Sequence, residues 1–237
     1  MRPAVTLMVI GCVISLTTVF GLKNFAGVPA HADTLPKNYL ALGDSYTIGQ
    51  SLPASENFPN LLAIELQNAG IKINAPEIRA VTGWTTGDLL RSLKDHSPSL
   101  KKYDLVTLLI GVNNQFRGGS PEEYAGEFTL LLDEAIKYTG DKRKVLVVSI
   151  PDYSVTPFAT GGDTRVIIKA INVFNAIQKR IAIKNGIKFI NITAISRKGK
   201  RDATLQAADG LHPSGLQYAK WVKLLLPPAR KALQITS

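Results

Sequence analysis

Short apolar runs alternate with longer amphipathic segments over most of the chain, beginning after a polar stretch at residues 33–37. Runs that are apolar throughout are typical of parallel strands covered by helices on both faces. Strands are predicted at residues 39–42, within 71–81 with an interruption near Pro76, and at 105–110, 145–150 and 187–192. Helices are predicted at residues 58–69, 87–93, 121–138, 165–185 and 213–233. The alternation predicts an α/β fold with a doubly wound, mostly parallel sheet of five strands.

Capping and breaking signals refine the helix ends. Thr85 or Thr86 can cap the helix at 87–93, and Ser120 followed by Pro121 opens the next helix. Pro227-Pro228 is expected to break or kink the last helix, because proline lacks an N–H and clashes with the preceding turn. Ligands of a doubly wound sheet bind outside the carboxyl ends of its strands. Polar residues directly after the strands are therefore the candidates for chemistry.

The first residues do not fit the globular pattern. An apolar run from residue 4 to about residue 22 is followed by Ala30-His31-Ala32, a small-x-small cleavage site. We expect a signal peptide at residues 1–32, export to the periplasm or the exterior, and one globular domain at residues 33–237. Two alternatives are an uncleaved membrane anchor, since about 18 apolar residues can span a bilayer, and a lipoprotein box at Val9-Ile10-Gly11-Cys12. The lipoprotein box would leave an unusually short leader.

Length and composition limit the classes of function. The 237 residues are 45% hydrophobic and 19% charged, which suits one sizeable core and is short for two domains. Cys12 is the only cysteine, so a chain beginning near Asp33 has no cysteine nucleophile, thiolate metal site or disulfide. No metal-ligand motif and no phosphate-binding glycine loop with a following lysine is present. We therefore expect neither a metal nor a cofactor.

The net charge of +10 makes the protein basic. Its densest cluster, Arg197-Lys198-Gly199-Lys200-Arg201, suits peripheral contact with an anionic surface such as phospholipid headgroups or acidic polysaccharide. A solvated loop is the preferred interpretation of the cluster. No nucleic-acid-binding motif accompanies the cluster, and export argues against such a partner, so no nucleic acid is expected. The sequence makes no prediction of the oligomeric state.

A serine and a histidine follow predicted strands and suit each other chemically. Ser45 lies in Gly43-Asp44-Ser45-Tyr46, directly after the first strand, where a polar turn capping a helix is the alternative interpretation. A serine nucleophile needs a base, which is usually a histidine oriented by an acid. His212 follows the last strand, with Asp209 three residues before it, whereas His96 lies in a polar turn away from any strand end. His212 is therefore the preferred base.

Two glycine-centred loops fall where hydrogen-bond donors for a developing oxyanion are needed. They are Thr82-Gly83-Trp84-Thr85-Thr86 after the second strand and Gly111-Val112-Asn113-Asn114 after the third. The second loop is expected to be an extended turn, in which the side chains of Asn113 and Asn114 point to opposite sides. Ordinary strand-to-helix turns are the alternative for both loops.

Together these four segments resemble the four sequence blocks of the SGNH (GDSL-type) hydrolases, in their usual order and across most of the chain after residue 32. The resemblance implies a three-layer α/β/α sandwich of flavodoxin-like topology. It implies Ser45 as nucleophile, Asp209 as orienting acid and His212 as general base. The implied oxyanion donors are the backbone N–H groups of Ser45 and Gly83 and the side-chain amide of Asn113.

The blocks depart from the family pattern at two positions. Tyr46 stands where the family often has leucine, and Asn114 stands where it often has aspartate. Neither position supplies an atom assigned to the chemistry. Because Asn114 replaces the aspartate, any supporting role of the family's carboxylate at this position is not expected here. Ser45 is not enclosed in Gly-x-Ser-x-Gly, so the nucleophile elbow of α/β-hydrolases is not supported.

The resemblance implies an exported serine esterase that hydrolyses lipid, lysophospholipid or short acyl esters through an acyl-enzyme, without a cofactor. The family also contains carbohydrate O-acetylesterases, and the same acyl-enzyme can pass its acyl group to another alcohol, as in a transferase. A non-catalytic glycan- or lipid-binding protein that keeps the fold is a further alternative. The expected partners are therefore a small-molecule, lipid or glycan ester and, peripherally, an anionic surface.

Overall fold

A computed structural model describes residues 35–235 together with residues 1, 3 and 4. The chain divides into two units, Met1–Asp33 and Thr34–Ser237, and the fold presented below is that of the second. The cleavage site expected at residues 30–32 and the alternative lipoprotein box lie outside the described residues. None of the helices within the described ranges is long and apolar enough to cross a membrane.

The domain is built on one sheet of five strands, all of them parallel, in the order β2-β1-β3-β4-β5. The strands are β1 (Tyr39–Gly43), β2 (Glu77–Ala80), β3 (Leu105–Leu109), β4 (Val145–Val148) and β5 (Lys188–Ile190). Residues of β1, β3 and β4 are buried throughout, because helices cover both faces of the sheet. The predicted α/β fold is confirmed, and the sheet is wholly rather than mostly parallel.

The sheet brings the ends of its central strands to one level. Gly43, the last residue of β1, is opposite Ala80 in β2 and Leu109 in β3. The chain runs from β1 to β2 on one side and then crosses to β3 on the other, so the order of strands switches between β1 and β3. Ligands of such sheets bind in the crevice at that switch point. The residues that follow β1 and β3 therefore meet there.

Eight α-helices connect and cover the strands. They are α1 (Ser45–Ile48), α2 (Phe58–Asn68), α3 (Thr86–Asp95), α4 (Val112–Phe116), α5 (Pro121–Thr139), α6 (Thr164–Lys184), α7 (Thr193–Ser196) and α8 (Gly215–Leu233) within the described residues. Helix α2 packs against α8, whereas α5 packs against both α3 and α6. The predicted caps form: Thr85 accepts from the Asp88 N–H, and Ser120 accepts from the Glu123 N–H.

The last helix continues through its two prolines. Helix α8 is uninterrupted from Gly215 to Leu233 with Pro227 and Pro228 inside it, so the predicted break does not occur, and the predicted alternative, a kink, stays a prediction. The prolines remove the intrahelical donors for the carbonyls of Lys223 and Leu224. Both residues are exposed, so water can satisfy these carbonyls, while the buried residues of α8 hold the helix against the core.

Candidate active site

Ser45 is held at the carboxyl end of β1 by a tight turn. Asp44 is the N-cap of α1, its side chain accepts the Tyr46 N–H, and Ser45 is the first helical residue. A Cβ on Gly43 would collide with the Thr47 side chain and the Leu109 carbonyl, so only glycine lets the turn pack this closely on β3. The serine side chain is 5% exposed and lines a cavity beside the sheet.

His212 lies in hydrogen-bond contact with Ser45 and Asp209 together. Its Nε2 is 3.0 Å from Ser45 Oγ, and its Nδ1 is 2.6 Å from Asp209 Oδ2. The turn that carries it is closed by the Ala207 N–H, which donates to the His212 carbonyl. The three side chains thus make the series of contacts that a nucleophile, a base and an orienting acid make in nucleophilic acyl transfer.

The Asp209 carboxylate is stabilised in its charged form. Partial burial by itself raises the pKa of Asp209, but the hydrogen bonds from Ser51, from the His212 and Leu211 backbone N–H groups and from the His212 ring hold that pKa below its usual range. Oδ1 accepts the two backbone N–H groups, at 3.0 Å from His212 and 2.9 Å from Leu211. An ionised acid fixed in this way favours a proton on Nδ1, which leaves Nε2 free to face the serine.

Ser51 is a site residue that the sequence did not reveal. Its Oγ donates to Asp209 Oδ2 at 2.6 Å, the same oxygen that faces His212 Nδ1. Ser51 has a φ of 70°, and no other non-glycine residue in the described ranges is recorded with a positive φ. Such a backbone costs free energy and persists where the surrounding structure requires it, often at functional sites. Its contact with Asp209 gives it a positioning role.

Replacing Ser51 with Gly is expected to lower kcat about 2- to 10-fold, the effect of one exposed hydrogen bond. The melting temperature should stay level or rise, because glycine adopts this backbone without strain. Steady-state kinetics, thermal melts and the NMR signal of the His212 Nδ1 proton measure the effects. An unchanged kcat and proton signal, with a lower melting temperature, would show that Ser51 serves only the fold.

The amide of Asn113 enters the same cavity from α4. Asn113 lines the cavity with Ser45 and His212, and its Nδ2 donates to the Trp84 carbonyl at 2.9 Å. An amide nitrogen carries two protons, so one proton holds the Trp84 loop and the other is available to a ligand. The expected extended turn is wrong, because Val112–Phe116 is helical. Asn113 and Asn114 still point apart, since successive residues of a helix are about 100° apart.

Asn114 joins the two glycine-centred loops. Its Oδ1 accepts the Thr86 N–H at 3.0 Å, and its Nδ2 donates to Thr86 Oγ1 at 2.7 Å. Arg117 adds a third connection by donating to the Gly83 carbonyl at 2.7 Å. Because Thr86 Oγ1 gives its own proton to Glu127, the contact with Asn114 needs a donor, which an amide supplies and an ionised carboxylate does not. The loop after β2 is therefore fixed relative to α4.

Of the two backbone donors implied by the family blocks, Ser45 lines the cavity and Gly83 does not. Ser45 begins α1, where the first N–H groups have no partner inside the helix, and it lines the cavity. Gly83 has a φ of 82°, and its carbonyl faces Arg117, but it does not line the cavity. Ser45, Asn113 and His212 are thus brought together, and Gly83 is connected to them only through its loop.

Two residues beside Ser45 are buried. The Tyr46 ring packs on the His212 ring, with centroids 5.1 Å apart. The residue that stands where the family often has leucine therefore contacts the histidine of the site. Asp44 is fully buried, and no described residue donates to its Oδ2. Burial raises the pKa of Asp44 to about 7, against the smaller opposing effect of the hydrogen bond from the Tyr46 N–H.

The cavity at Ser45 has a volume of about 100 Å³ and is mostly apolar. Phe116, Tyr153 and Phe158 form one aromatic wall, with ring centroids 5.8–6.3 Å apart. Phe116 and Phe158 are both about half exposed at the mouth. Phe116 follows β3 and Phe158 follows β4. The rule that ligands bind after the ends of the strands predicts this region from the sequence, but it does not predict these two residues.

His96 lies apart from this cavity. It is the C-cap of α3 and is exposed, and its carbonyl accepts a hydrogen bond from Arg79. Residues 35–235 hold no group of three or more His, Cys, Asp and Glu side chains that could bind a metal ion.

The sequence profile of the GDSL-like lipase/acylhydrolase family matches residues 41–220. The chain belongs to this family. Membership makes it a hydrolase of the esterase and lipase type. The matched range begins in β1 and ends in α8, so it includes Ser45, Asn113 and His212. No curated protein matches the chain in sequence.

Solved structures share the fold of this GDSL-family protein at low sequence identity. A lipase/acylhydrolase from Enterococcus faecalis is similar with a TM-score of 0.66 and 20% identity, covering 85% of this chain and 99% of that one. An acetyl xylan esterase from Geobacillus stearothermophilus has a TM-score of 0.65 and 18% identity, covering 85% and 97%. The esterase EstA from Pseudoalteromonas has a TM-score of 0.61 and 19% identity, covering 84% and 100%. These likenesses support the fold.

Proposed function

We propose that the protein is a serine esterase that hydrolyses carboxylic esters with short acyl groups through an acyl-enzyme on Ser45. One observation carries the proposal: Ser45 Oγ, His212 and Asp209 form a continuous chain of contacts of 3.0 and 2.6 Å beside a small apolar cavity. A bound ester would place its carbonyl between this serine and the Asn113 amide.

The reaction proceeds in two halves. His212 Nε2 takes the Ser45 proton as the serine oxygen attacks the ester carbonyl, and Asp209 stabilises the imidazolium that forms. The Ser45 N–H and the free Asn113 amide proton stabilise the oxyanion. The third donor that the family blocks imply, the Gly83 N–H, lies outside the cavity and is not needed for this step. His212 then protonates the leaving alcohol, which departs from the acyl-enzyme. In the second half, His212 takes a proton from a water molecule as that water attacks the acyl-enzyme. The acid is released, and His212 returns the proton to Ser45.

The cavity favours a short acyl group. Its volume of about 100 Å³ is smaller than the roughly 150 Å³ of an apolar cavity that holds benzene. Val112, Leu211 and the aromatic wall leave the lining without a charged group other than the His212 ring when protonated. An acetyl to butyryl group fits this space, whereas a long chain would have to leave through the mouth.

A panel of p-nitrophenyl esters tests the proposal. Acetate to butyrate esters should be hydrolysed with kcat/KM at least about tenfold above that of a long-chain ester, since the cavity cannot bury the extra methylenes. Ser45→Ala should remove nearly all turnover. Ser154→Ala is a matched control, because Ser154 is also buried but does not line the cavity. Turnover that survives Ser45→Ala would refute the serine mechanism.

A carbohydrate O-acetylesterase is the second candidate. The small cavity suits an acetyl group, and the exposed rings of Phe116 and Phe158 at its mouth offer a surface on which a sugar can stack. The similar structure from Geobacillus stearothermophilus is that of an acetyl xylan esterase. Release of acetate from an acetylated glycan, compared with p-nitrophenyl acetate on the same protein, distinguishes this candidate.

We also propose that residues 1–32 form a signal peptide that is removed on export. The apolar run, the small-residue site at Ala30-His31-Ala32 and the start of the family match at residue 41 support this proposal. Mass spectrometry of the released protein should find an N-terminus close to Asp33. A stable product that retains Met1 in the membrane fraction would overturn it.

A further inference from the structure

The positive charge of the protein is concentrated in one part of the chain. Residues 164–201 contain ten Lys and Arg residues and no Asp or Glu. The net charge of the whole chain is +10, and the remaining residues carry 18 basic and 18 acidic side chains. The segment 164–201, which we call the basic segment, therefore accounts for the entire excess.

The basic segment forms one edge of the domain. It runs through α6, the edge strand β5, α7 and the 3-10 turn Arg197–Lys200. The Arg197 guanidinium donates to Asn172 Oδ1 at 2.7 Å, which ties the turn to α6. Its charges are thus gathered on one side of a folded domain rather than dispersed along a loop.

The outer face of α6 carries a stripe of positive charge. Arg165, Lys169 and Arg180 are exposed and lie within about 60° around the helix axis. Such spacing keeps side chains on one face of a helix. From Arg165 to Arg180 the stripe extends about 22 Å along α6, at 1.5 Å per residue.

Most charges of the segment have no acidic partner. Arg165 pairs with Asp163, and Arg197 pairs with the buried Asp152 at 2.7 Å. Within the part of the chain that the structure describes, the other eight basic residues form no salt bridge. Eight uncompensated charges on one edge repel each other at low ionic strength. An anionic partner would relieve this repulsion, whereas a second copy of the same face would increase it.

Exposed aliphatic side chains lie among these charges. Val166, Val173 and Ile183 of α6 are 63%, 40% and 60% exposed. Cationic side chains beside exposed apolar ones suit a lipid headgroup region, which offers both anionic groups and hydrocarbon. An acidic polysaccharide offers the charge without the hydrocarbon.

We propose that this face of the basic segment binds the surface of an anionic phospholipid bilayer and holds the protein there. The contact is peripheral: the Lys and Arg side chains meet the headgroups, and the exposed aliphatic side chains enter the headgroup region. It goes beyond the ester hydrolysis proposed above and does not depend on it, since binding involves neither Ser45 nor the cavity.

Co-sedimentation of the released protein, which begins close to Asp33, with vesicles tests this surface. Vesicles of phosphatidylglycerol and phosphatidylcholine in equal parts should bind the protein, and phosphatidylcholine alone or high salt should release it. A variant with Lys169→Gln, Arg180→Gln, Lys198→Gln and Lys200→Gln should bind at least about 10²-fold more weakly, because each charge contributes about fivefold. Its hydrolysis of a soluble ester should stay unchanged, which separates binding from activity.

The control removes the same charge elsewhere, through Lys94→Gln, Lys101→Gln, Lys220→Gln and Lys223→Gln. It should bind vesicles within about threefold of wild type. Both variants begin at the same residue, so any contribution of the segment before the domain is equal. Equal losses in the two variants would show a net-charge effect and overturn the proposal.

A second comparison distinguishes binding to a lipid surface from binding to a soluble polyanion. Val166→Ser with Val173→Ser should weaken vesicle binding several-fold and leave binding of sodium polygalacturonate unchanged. Binding to polygalacturonate without binding to the anionic vesicles would overturn the lipid proposal, as would no effect of the two serine substitutions on the vesicles.

Discussion

Replacing His212 with Ala is expected to lower kcat for a short-chain ester by about 10⁴-fold or more, the scale seen when a triad base is removed. His212 is 4% exposed and contacts Ser45 Oγ at 3.0 Å and Asp209 Oδ2 at 2.6 Å. No other histidine of residues 35–235 lines the cavity, so nothing can replace it. Steady-state kinetics with p-nitrophenyl acetate measures the loss, and thermal melts check the fold.

His96→Ala is the matched control for this loss. His96 is exposed at the end of α3 and contributes only its carbonyl to a hydrogen bond. Alanine keeps that carbonyl, so most activity should remain. If the two variants lost activity equally, or His96→Ala lost more, the assignment of His212 as the base would be wrong.

Replacing Asn113 with Ala is expected to lower kcat about 10²- to 10³-fold with little change in KM, because removing one oxyanion donor has this effect. The interaction is stronger in the transition state than in the bound ester, which places the loss in kcat. The variant also loses the hydrogen bond to the Trp84 carbonyl, at a cost of about 1 kcal/mol in the free energy of unfolding. Wild-type kcat and stability would remove Asn113 from the oxyanion hole.

Asn114→Ala is the control that distinguishes a loss of turnover from a loss of stability. Asn114 is 8% exposed and makes both of its hydrogen bonds to Thr86. Removing it leaves buried partners unsatisfied, which should lower the free energy of unfolding by about 1–3 kcal/mol. Its kcat should fall much less than that of Asn113→Ala. A variant with normal melting temperature and a 10²-fold lower kcat would instead place Asn114 in the chemistry.

The fold was predictable because each central strand is a continuous apolar run between polar stretches. β3 and β4 lie within the predicted ranges, β1 extends one residue beyond its range to Gly43, and β5 is a shorter part of its range. β2 was harder to delimit, since its residues are only half-buried at the sheet edge. The prolines of α8 misled the sequence argument because their cost depends on whether the freed carbonyls reach water, which a sequence does not reveal.

The site was predictable in part for a topological reason. Parallel strands end at one edge of the sheet, so Ser45 after β1 and Asn113 after β3 were expected to meet, and the structure brings them into one cavity with His212. Their catalytic roles stay predictions. Ser51 could not be found in the same way, because its left-handed backbone and its contact with Asp209 arise only from the path of the folded chain.

The buried carboxyl of Asp44 makes the stability of the fold depend on pH. Its pKa is about 7 in the folded protein, against an ordinary value of 3.8, so the folded state binds this proton more tightly. The stabilisation is complete below a pH of about 4 and is lost as the pH rises through about 7. Neutral and alkaline conditions therefore leave a buried carboxylate charge at the turn that carries Ser45, and this charge weakens the fold there.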